Sequence, residues 1–253
     1  MSTLDHLSHT QVSMFQRCPR QYYFRYVLDI KSPPGSALIR GTSVDRATAH
    51  NLTQKIDTGI DLPVEEVIEV AATSFDEAID RAGGESEVDW REDDPGEIKD
   101  SSIALAGLHM RVHAPLIQPT GVQVELHREV QDGIDFVGFL DFETSPTTVG
   151  DVKTGSRGMG QEAADKDMQP SAYAYLKGHA IDFGFYRLID SGKNRKAEIV
   201  QTDRTRAQIE WYEGAVKDVA NAVLAGNFPP NPTSPLCSKR WCGYWDRCGL
   251  GKK

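Results

Sequence analysis

Two aspartates and a lysine near the middle of the chain have the types and spacing for phosphodiester chemistry. They lie in Gly138–Gly155, GFLDFETSPTTVGDVKTG. The stretch reads as two strands joined at Ser145-Pro146-Thr147, because proline and small polar residues favour a turn. Before the turn, Val137, Phe139 and Leu140 are apolar and Asp141 interrupts them. After it comes Asp151-Val152-Lys153. Strand side chains alternate, so Asp151 and Lys153 share one face and Val152 takes the other. Carboxylates on neighbouring strands offer oxygen ligands to a hard divalent cation. Such a cation activates water and stabilises a leaving oxygen, while the lysine positions or polarises nucleophile and phosphate. The plainer reading of an acid-x-lysine tripeptide is a solvated face or a surface ion pair. Asp141 argues against it, since an acid inside an apolar run is costly unless paired or metal-bound.

A second set of reactive groups sits at the two ends of the chain. Cys237, Cys242 and Cys248 form C-x4-C-x5-C in CSKRWCGYWDRC, and Cys18 is remote from them. Two disulfides are one reading, although disulfides are uncommon in cytosolic chains. Three clustered cysteines with one distant partner look more like a four-thiolate metal site. Zinc and an iron–sulfur cluster both accept four cysteines, and spacing does not separate them. A bound group would join the N-terminal helix to the C-terminus.

The chain must supply elements that hold these groups. Ser8 to about Leu28 reads as a helix, with Ser8 and Gln11 at capping-box spacing and Pro19 kinking or restarting it. A second helix is expected from about Thr42 to Lys55, with His50 near its middle. A third runs from Asp61-Leu62-Pro63 to the Gly83-Gly84 stop. The acidic run from Glu85 to Glu97 reads as a mobile loop, and Ile98 to Ile117 as a further helix. Strands Val122–Val130 and Ile134–Glu143 flank Gln131-Asp132-Gly133, a hairpin signal, and a third strand covers about Thr148 to Lys153. Gln161 to Gly178 reads as one helix in which Gln169 and Tyr173 share a face. Strands Ile181–Ile189 and Ala197–Thr202 bracket a second hairpin. A helix from Thr205 to Leu224 and a proline-rich connection then lead to the cysteines.

The 253 residues, 39% hydrophobic and 26% charged, suffice for one large domain or a core with appendages. The polar start MSTLDHLSHT has no signal-peptide pattern, and no apolar run approaches the roughly 20 residues that span a bilayer. A cytoplasmic location without membrane association is therefore expected. The net charge of -9 does not announce a nucleic-acid binder. The charge is uneven, however. Arg17, Arg20 and Arg25 lie in the first helix, and Lys239, Arg240 and Arg247 among the last cysteines. Were the cysteines gathered, these two groups would be neighbours and would make a basic patch on an acidic protein.

Taken together, the helix with His50, the GFLDF and DVKTG segments, Gln169-Pro170-Ser171-Ala172-Tyr173 and the opening LSHTQVSMFQRCPRQYYFRYV resemble the RecB-like branch of the PD-(D/E)XK nuclease superfamily. That branch includes the CRISPR-associated RecB-like exonucleases and the nuclease domain of AddB-type helicase–nucleases. The resemblance implies an α/β (α+β) restriction-endonuclease-like core, with a mixed central sheet flanked by helices and the terminal segments joined at a metal cluster. It implies a single nuclease domain over 1–253, with a helical N-terminal region over 1–120, a nuclease core over 121–225 and a cysteine segment over 226–253. Asp141 and Asp151 would bind Mg2+ or Mn2+, helped by His50 and the backbone carbonyl of Val152. Lys153 would assist the nucleophile, and Gln169 and Tyr173 would hold the active-site strand and contact DNA. Cys18, Cys237, Cys242 and Cys248 would hold a [4Fe-4S] cluster, with Zn2+ as the alternative. The C-x4-C gap departs from the C-x2-C common in the two named subgroups. The implied activity is a metal-dependent DNA exonuclease, rather than an endonuclease, acting in recombination, repair or phage DNA processing with a recombination or helicase partner. The alternatives are a CRISPR-associated nuclease of spacer acquisition, or a non-catalytic DNA-binding or assembly module with a four-cysteine site. The chain has no P-loop of the form G-x-x-x-x-G-K-[ST], so it carries no helicase motor of its own.

Overall fold

The computed structural model describes residues 4–250. The chain opens with a three-residue strand β1 (His6–Ser8) and α1 (His9–Arg17), whose N-cap Ser8 side chain accepts from the Gln11 N–H. After α2 (Pro19–Tyr22) and a wide turn Tyr23–Val27 come three long helices, α3 (Ser36–Thr58), α4 (Val64–Ala82) and α5 (Pro95–Val112). The strands β2 (Gly121–Gln131), β3 (Ile134–Ser145) and β4 (Thr148–Gly155) follow. Then come α6 (Gln161–Lys166), α7 (Gln169–Lys177), β5 (Asp182–Asp190), β6 (Arg195–Asp203) and α8 (Arg206–Leu224).

The strands form one mixed six-stranded sheet ordered β1-β3-β4-β5-β6, with β2 also on β3. Pairings β1–β3 and β4–β5 are parallel, and the others antiparallel. Helices cover both faces. On one, Phe136, Leu140, Phe183 and Phe185 pack with Tyr175 of α7 and Tyr212 of α8. On the other, Leu188 and Phe142 meet Val44 and Leu52 of α3 and Leu105 of α5. This is the mixed α/β architecture the resemblance implied. No helix among the described residues is long and apolar enough to cross a membrane.

One detail of the sheet positions the candidate site. Strand β2 lines one edge of β3 along nearly its whole length, from Gly121↔Glu143 to Gln131↔Ile134. The other edge is shared. β1 takes Asp135–Val137, and β4 takes Phe142–Ser145. Between them Gly138–Asp141 has no strand partner on that side, which leaves a notch in the sheet. Two glycines make the packing around it possible. A Cβ on Gly150 would lie 2.0 Å from the Phe142 ring, and one on Gly138 would lie 2.6 Å from Leu176.

Several elements differ from their sequence reading. The helix expected over Ser8–Leu28 breaks at Cys18, which is extended at φ -165°, ψ 103°. The cause is Pro19, which disfavours helical backbone in the residue before it. The expected Gln161–Gly178 helix is two helices, parted at Asp167-Met168, where the Asp167 carboxylate accepts the Gln169 N–H at 2.8 Å. The acidic run is tied down rather than loose. Val88 is buried, Asp89 bridges to Gly35, and Trp90 donates to the Glu85 carbonyl at 2.9 Å. Its last residues begin α5 three positions earlier than expected, because Asp94 caps the Glu97 N–H and Pro95 suits the first helical position.

Candidate active site

At the notch β3 and β4 diverge, and Asp141 fills the gap in the ladder. Its Oδ2 accepts the Val152 N–H at 2.8 Å, where a strand carbonyl would otherwise stand. Asp151 on β4 is fully buried. Its Oδ1 accepts from Lys153 Nζ at 2.8 Å and from Gln169 Nε2 at 2.7 Å, while Oδ2 has no hydrogen-bond partner among the described residues. Gln169 also donates to the Tyr173 hydroxyl at 2.9 Å, and that hydroxyl donates to the Phe139 carbonyl on the unpaired edge of β3, again at 2.9 Å. The first turns of α7 thus hold both strands. The structure brings together Asp141, Asp151, the Val152 backbone, Lys153, Gln169 and Tyr173.

His50 is not among them. Its Nε2 lies 3.2 Å from Glu66 Oε1 of α4, and both side chains are about half exposed, at 46% and 49%. The α3 residue whose charge acts on the acids is Asp45. Five residues separate the two, which is roughly 140° around a helix, so only one can face the sheet. Gly41, one turn before Asp45, lies against Thr154 of β4, with 3.7 Å from its would-be Cβ to Oγ1. A mid-helix glycine followed four residues later by an acid is the signal that could have singled out Asp45. Its Oδ1 also accepts from Gln123 at 3.3 Å. Asp167 and His9 are further neighbours absent from the sequence reading. Both perturb or are perturbed by groups of the site.

The electrostatics follow from crowding anions in a dry place. Burial raises Asp151, although the Lys153 charge and the hydrogen bonds from Lys153 and Gln169 oppose it. Burial raises Asp141 well above the usual carboxylate range, and the charges of Asp151 and Asp45 add to that. Burial and the Asp151 charge raise Asp45. Burial works against the Lys153 charge, but Asp151 and Asp141 outweigh it and raise the ammonium pKa, so the lysine is cationic at neutral pH. His9 is pushed down to about 4, first by burial, with Asp167 opposing and Lys153 adding to the effect. Three mutually repelling carboxylates around one lysine are an anion-rich site that a divalent cation would relieve.

The cysteines converge as well. Cys18, Cys237, Cys242 and Cys248 all line one cavity, together with Gln21, Phe24, Asn231 and Tyr244. None is in a disulfide. Cys242 Sγ accepts from Gln21 at 3.2 Å, and Cys18 Sγ from the Asn231 N–H at 3.4 Å. Burial and the three other thiols raise Cys237. The C-terminal segment is anchored by Tyr244, which stacks on Phe24 and donates to the Ile30 carbonyl at 2.9 Å. Arg20 lies over Tyr23, Arg25 over Tyr26, and Arg240 over Trp241. Among the described residues, no three His, Cys, Asp or Glu side chains stand as a ready-made ligand set for a single ion.

A mixed sheet that opens a notch, with buried carboxylates and a lysine gathered in it, belongs to the class of phosphodiester-hydrolysing nuclease folds. The chain belongs to the PD-(D/E)XK nuclease superfamily, whose family profile matches residues 6–249. Among solved structures, it is similar to a protein from Eubacterium rectale that carries a provisional description as an exonuclease. Identity is 12%, the TM-score is 0.57, and the match covers 92% of this chain and 87% of that one. A structure of the protein SSO0001 matches at 12% identity and TM-score 0.47, over 100% of this chain and 90% of that one. No curated protein matches the sequence.

Proposed function

We propose that this chain is a metal-dependent DNA exonuclease of the RecB-like branch, built as one nuclease domain whose ends are joined by a four-cysteine iron–sulfur cluster. The observation that carries the catalytic reading is the buried Asp151 Oδ2, which has no hydrogen-bond partner among the described residues and feels two further carboxylates. An unpaired buried carboxylate oxygen is costly, and a cation is what that position fits. Asp141, Asp151 and the Val152 carbonyl would hold it, with Asp45 supplying the α3 ligand in place of His50. Three carboxylates, one carbonyl and waters suit Mg2+ or Mn2+, which keep several waters. Bound there, the cation supplies an activated water and charge stabilisation on the scissile phosphate.

The chain's own groups do the rest. Lys153 is held charged by Asp151 and is partly exposed at 38% of its side chain, so its ammonium can meet a phosphate oxygen or the attacking water. Gln169 and Tyr173 fix the orientation of Asp151 and the edge of β3. The four thiols line one cavity, the gathering that an iron–sulfur cluster needs, with zinc as the alternative occupant.

The test uses end-labelled linear DNA and closed circular DNA, with Mg2+, Mn2+ or EDTA. We expect nucleotide release from linear ends only, and only with metal. Asp151→Asn keeps shape and removes charge. It should lower cleavage by at least about 100-fold while DNA binding persists. Full activity of Asp151→Asn with Mg2+ would sink the catalytic assignment, and opening of the circle would sink the exonuclease assignment.

A further inference from the structure

Strands β2 and β3 change face together at one register position. Along β3, Leu140 packs into the core beneath α7 and α8, whereas Phe142, two residues on, packs with Leu52 of α3 on the opposite face. Along β2, Val124 lies on the first side and Val122 on the second. Residues two apart on a regular strand share a face. Both strands therefore break their alternation at the residue between, Gln123 in β2 and Asp141 in β3. The two stand opposite each other. Val122 pairs with Phe142 and Val124 with Leu140, and the ladder skips the position of Gln123 and Asp141. On the β3 side, Asp141 turns its carboxylate onto the Val152 N–H. On the β2 side, Gln123 takes a left-handed backbone with φ 50°.

The residue type at this position does not suit the backbone. Glycine takes positive φ at no steric cost, and asparagine and aspartate take it more readily than other side chains. A glutamine held there stores strain. The side chain gives the reason for keeping it. Gln123 Nε2 donates to Asp45 Oδ1 on α3 at 3.3 Å, and asparagine, one methylene shorter, would leave that gap open. Burial and the Asp151 charge raise Asp45, and the Gln123 hydrogen bond opposes them.

Granting that Asp45 is a ligand of the metal centre proposed above, we propose that Gln123 is the positioning residue for it: the strained backbone at the change of face presents the amide to Asp45 and fixes the orientation in which that carboxylate meets the cation. Hydrogen-bond partners of metal-ligating groups contribute a factor of about 10–100 to metal affinity. Gln123 also ties the α3 carboxylate to the break that aims Asp141. One register position of the sheet thus sets two of the three acids.

The test is Mn2+ binding to the full chain without DNA, by titration calorimetry, beside the melting temperature in EDTA. Gln123→Gly releases the strain and removes the amide. It should weaken Mn2+ binding by about 10- to 100-fold while the melting temperature holds or rises. Gln123→Met keeps length and strain but has no donor, and it should weaken Mn2+ binding by a similar factor. Asp45→Asn should itself weaken binding, and adding either Gln123 change to it should cost less than about a further twofold, because the amide acts through Asp45. Affinity within about twofold of wild type in both Gln123 variants, with Asp45→Asn weakened, would overturn the proposal and leave the metal centre standing. Fully additive losses in the Asp45→Asn background would overturn it too. So would a melting temperature that falls together with affinity in Gln123→Gly, the mark of a merely structural role. Unchanged Mn2+ binding by Asp45→Asn would remove Asp45 from the centre and Gln123 with it, and a wild-type protein that binds no Mn2+ would sink the metal centre itself.

Discussion

His109 and His113, one turn apart on and just beyond α5, should make the protein lose stability in mild acid. Both are fully buried, and all four ring nitrogens lack a hydrogen-bond partner among the described residues. The rings meet edge to face at 5.6 Å, and His113 meets Tyr186 at 5.3 Å. Burial pushes His109 down to about 3 from the ordinary 6.5, with His113 and the nearby Lys55 charge adding to it. Burial pushes His113 down to about 4, opposed by the Glu198 backbone. The folded protein therefore keeps both rings neutral, while the unfolded chain protonates them below 6.5. The unfolded state binds more protons, so stability rises with pH, is complete above 6.5, and is lost as pH falls toward the folded values. At about pH 5 the gap of about 1.5 units costs about 2 kcal/mol per ring, or about 4 kcal/mol for the pair. Total stability is on the order of 5–15 kcal/mol, so the loss is a large fraction of it. The figure needs only that both folded values lie below 5. Urea unfolding followed by tryptophan fluorescence from about pH 7.5 to about pH 5 measures it. The raised carboxylates of the candidate site act in the opposite sense, but they are common to wild type and the His109→Leu, His113→Leu double variant. Across that range wild type should lose about 4 kcal/mol more than the variant. Parallel curves would refute the reasoning.

Three further outcomes follow from the geometry. Asp45→Asn should lower metal-dependent cleavage by at least about tenfold, whereas His50→Ala should leave it within about twofold, since an exposed pair with Glu66 is worth about 0–1 kcal/mol; the reverse order would return His50 to the site. Burial and mutual repulsion raise Asp45, Asp141 and Asp151, so protons compete with the cation, and the Mg2+ concentration for half-maximal cleavage should climb from about pH 8 to about pH 6; a flat profile would argue against these ligands. Cys18→Ser should lower the melting temperature and bleach a broad visible absorption band, and a colourless wild-type protein containing zinc would replace the cluster with a zinc ion.

What the sequence determined by itself is local. Asp141, Asp151 and Lys153 were legible because one turn brings two adjacent strands of a single short stretch together and strand alternation sets Asp151 and Lys153 on one face. Gln169 and Tyr173 were legible because a helix repeats every turn. The hairpins at Asp132-Gly133 and Ser191–Asn194 announced themselves through turn residues. The cysteine gathering was legible only as a count and a spacing.

Tertiary structure decided which way each element faces and what meets across the gaps. Asp45 and His50 lie on one helix, and locally only Gly41, one turn before Asp45, distinguishes them. Packing of α3 on β4, with Gly41 against Thr154, turns Asp45 inward and leaves His50 to Glu66. The notch in the sheet depends on β1, a three-residue strand that pairs with β3 more than a hundred residues away and is too short to read from periodicity. The unpaired Asp151 oxygen and the burial of His109 and His113 share that origin. Burial belongs to the assembled core, where a side chain's neighbours come from distant segments, and residue type and spacing alone do not contain it.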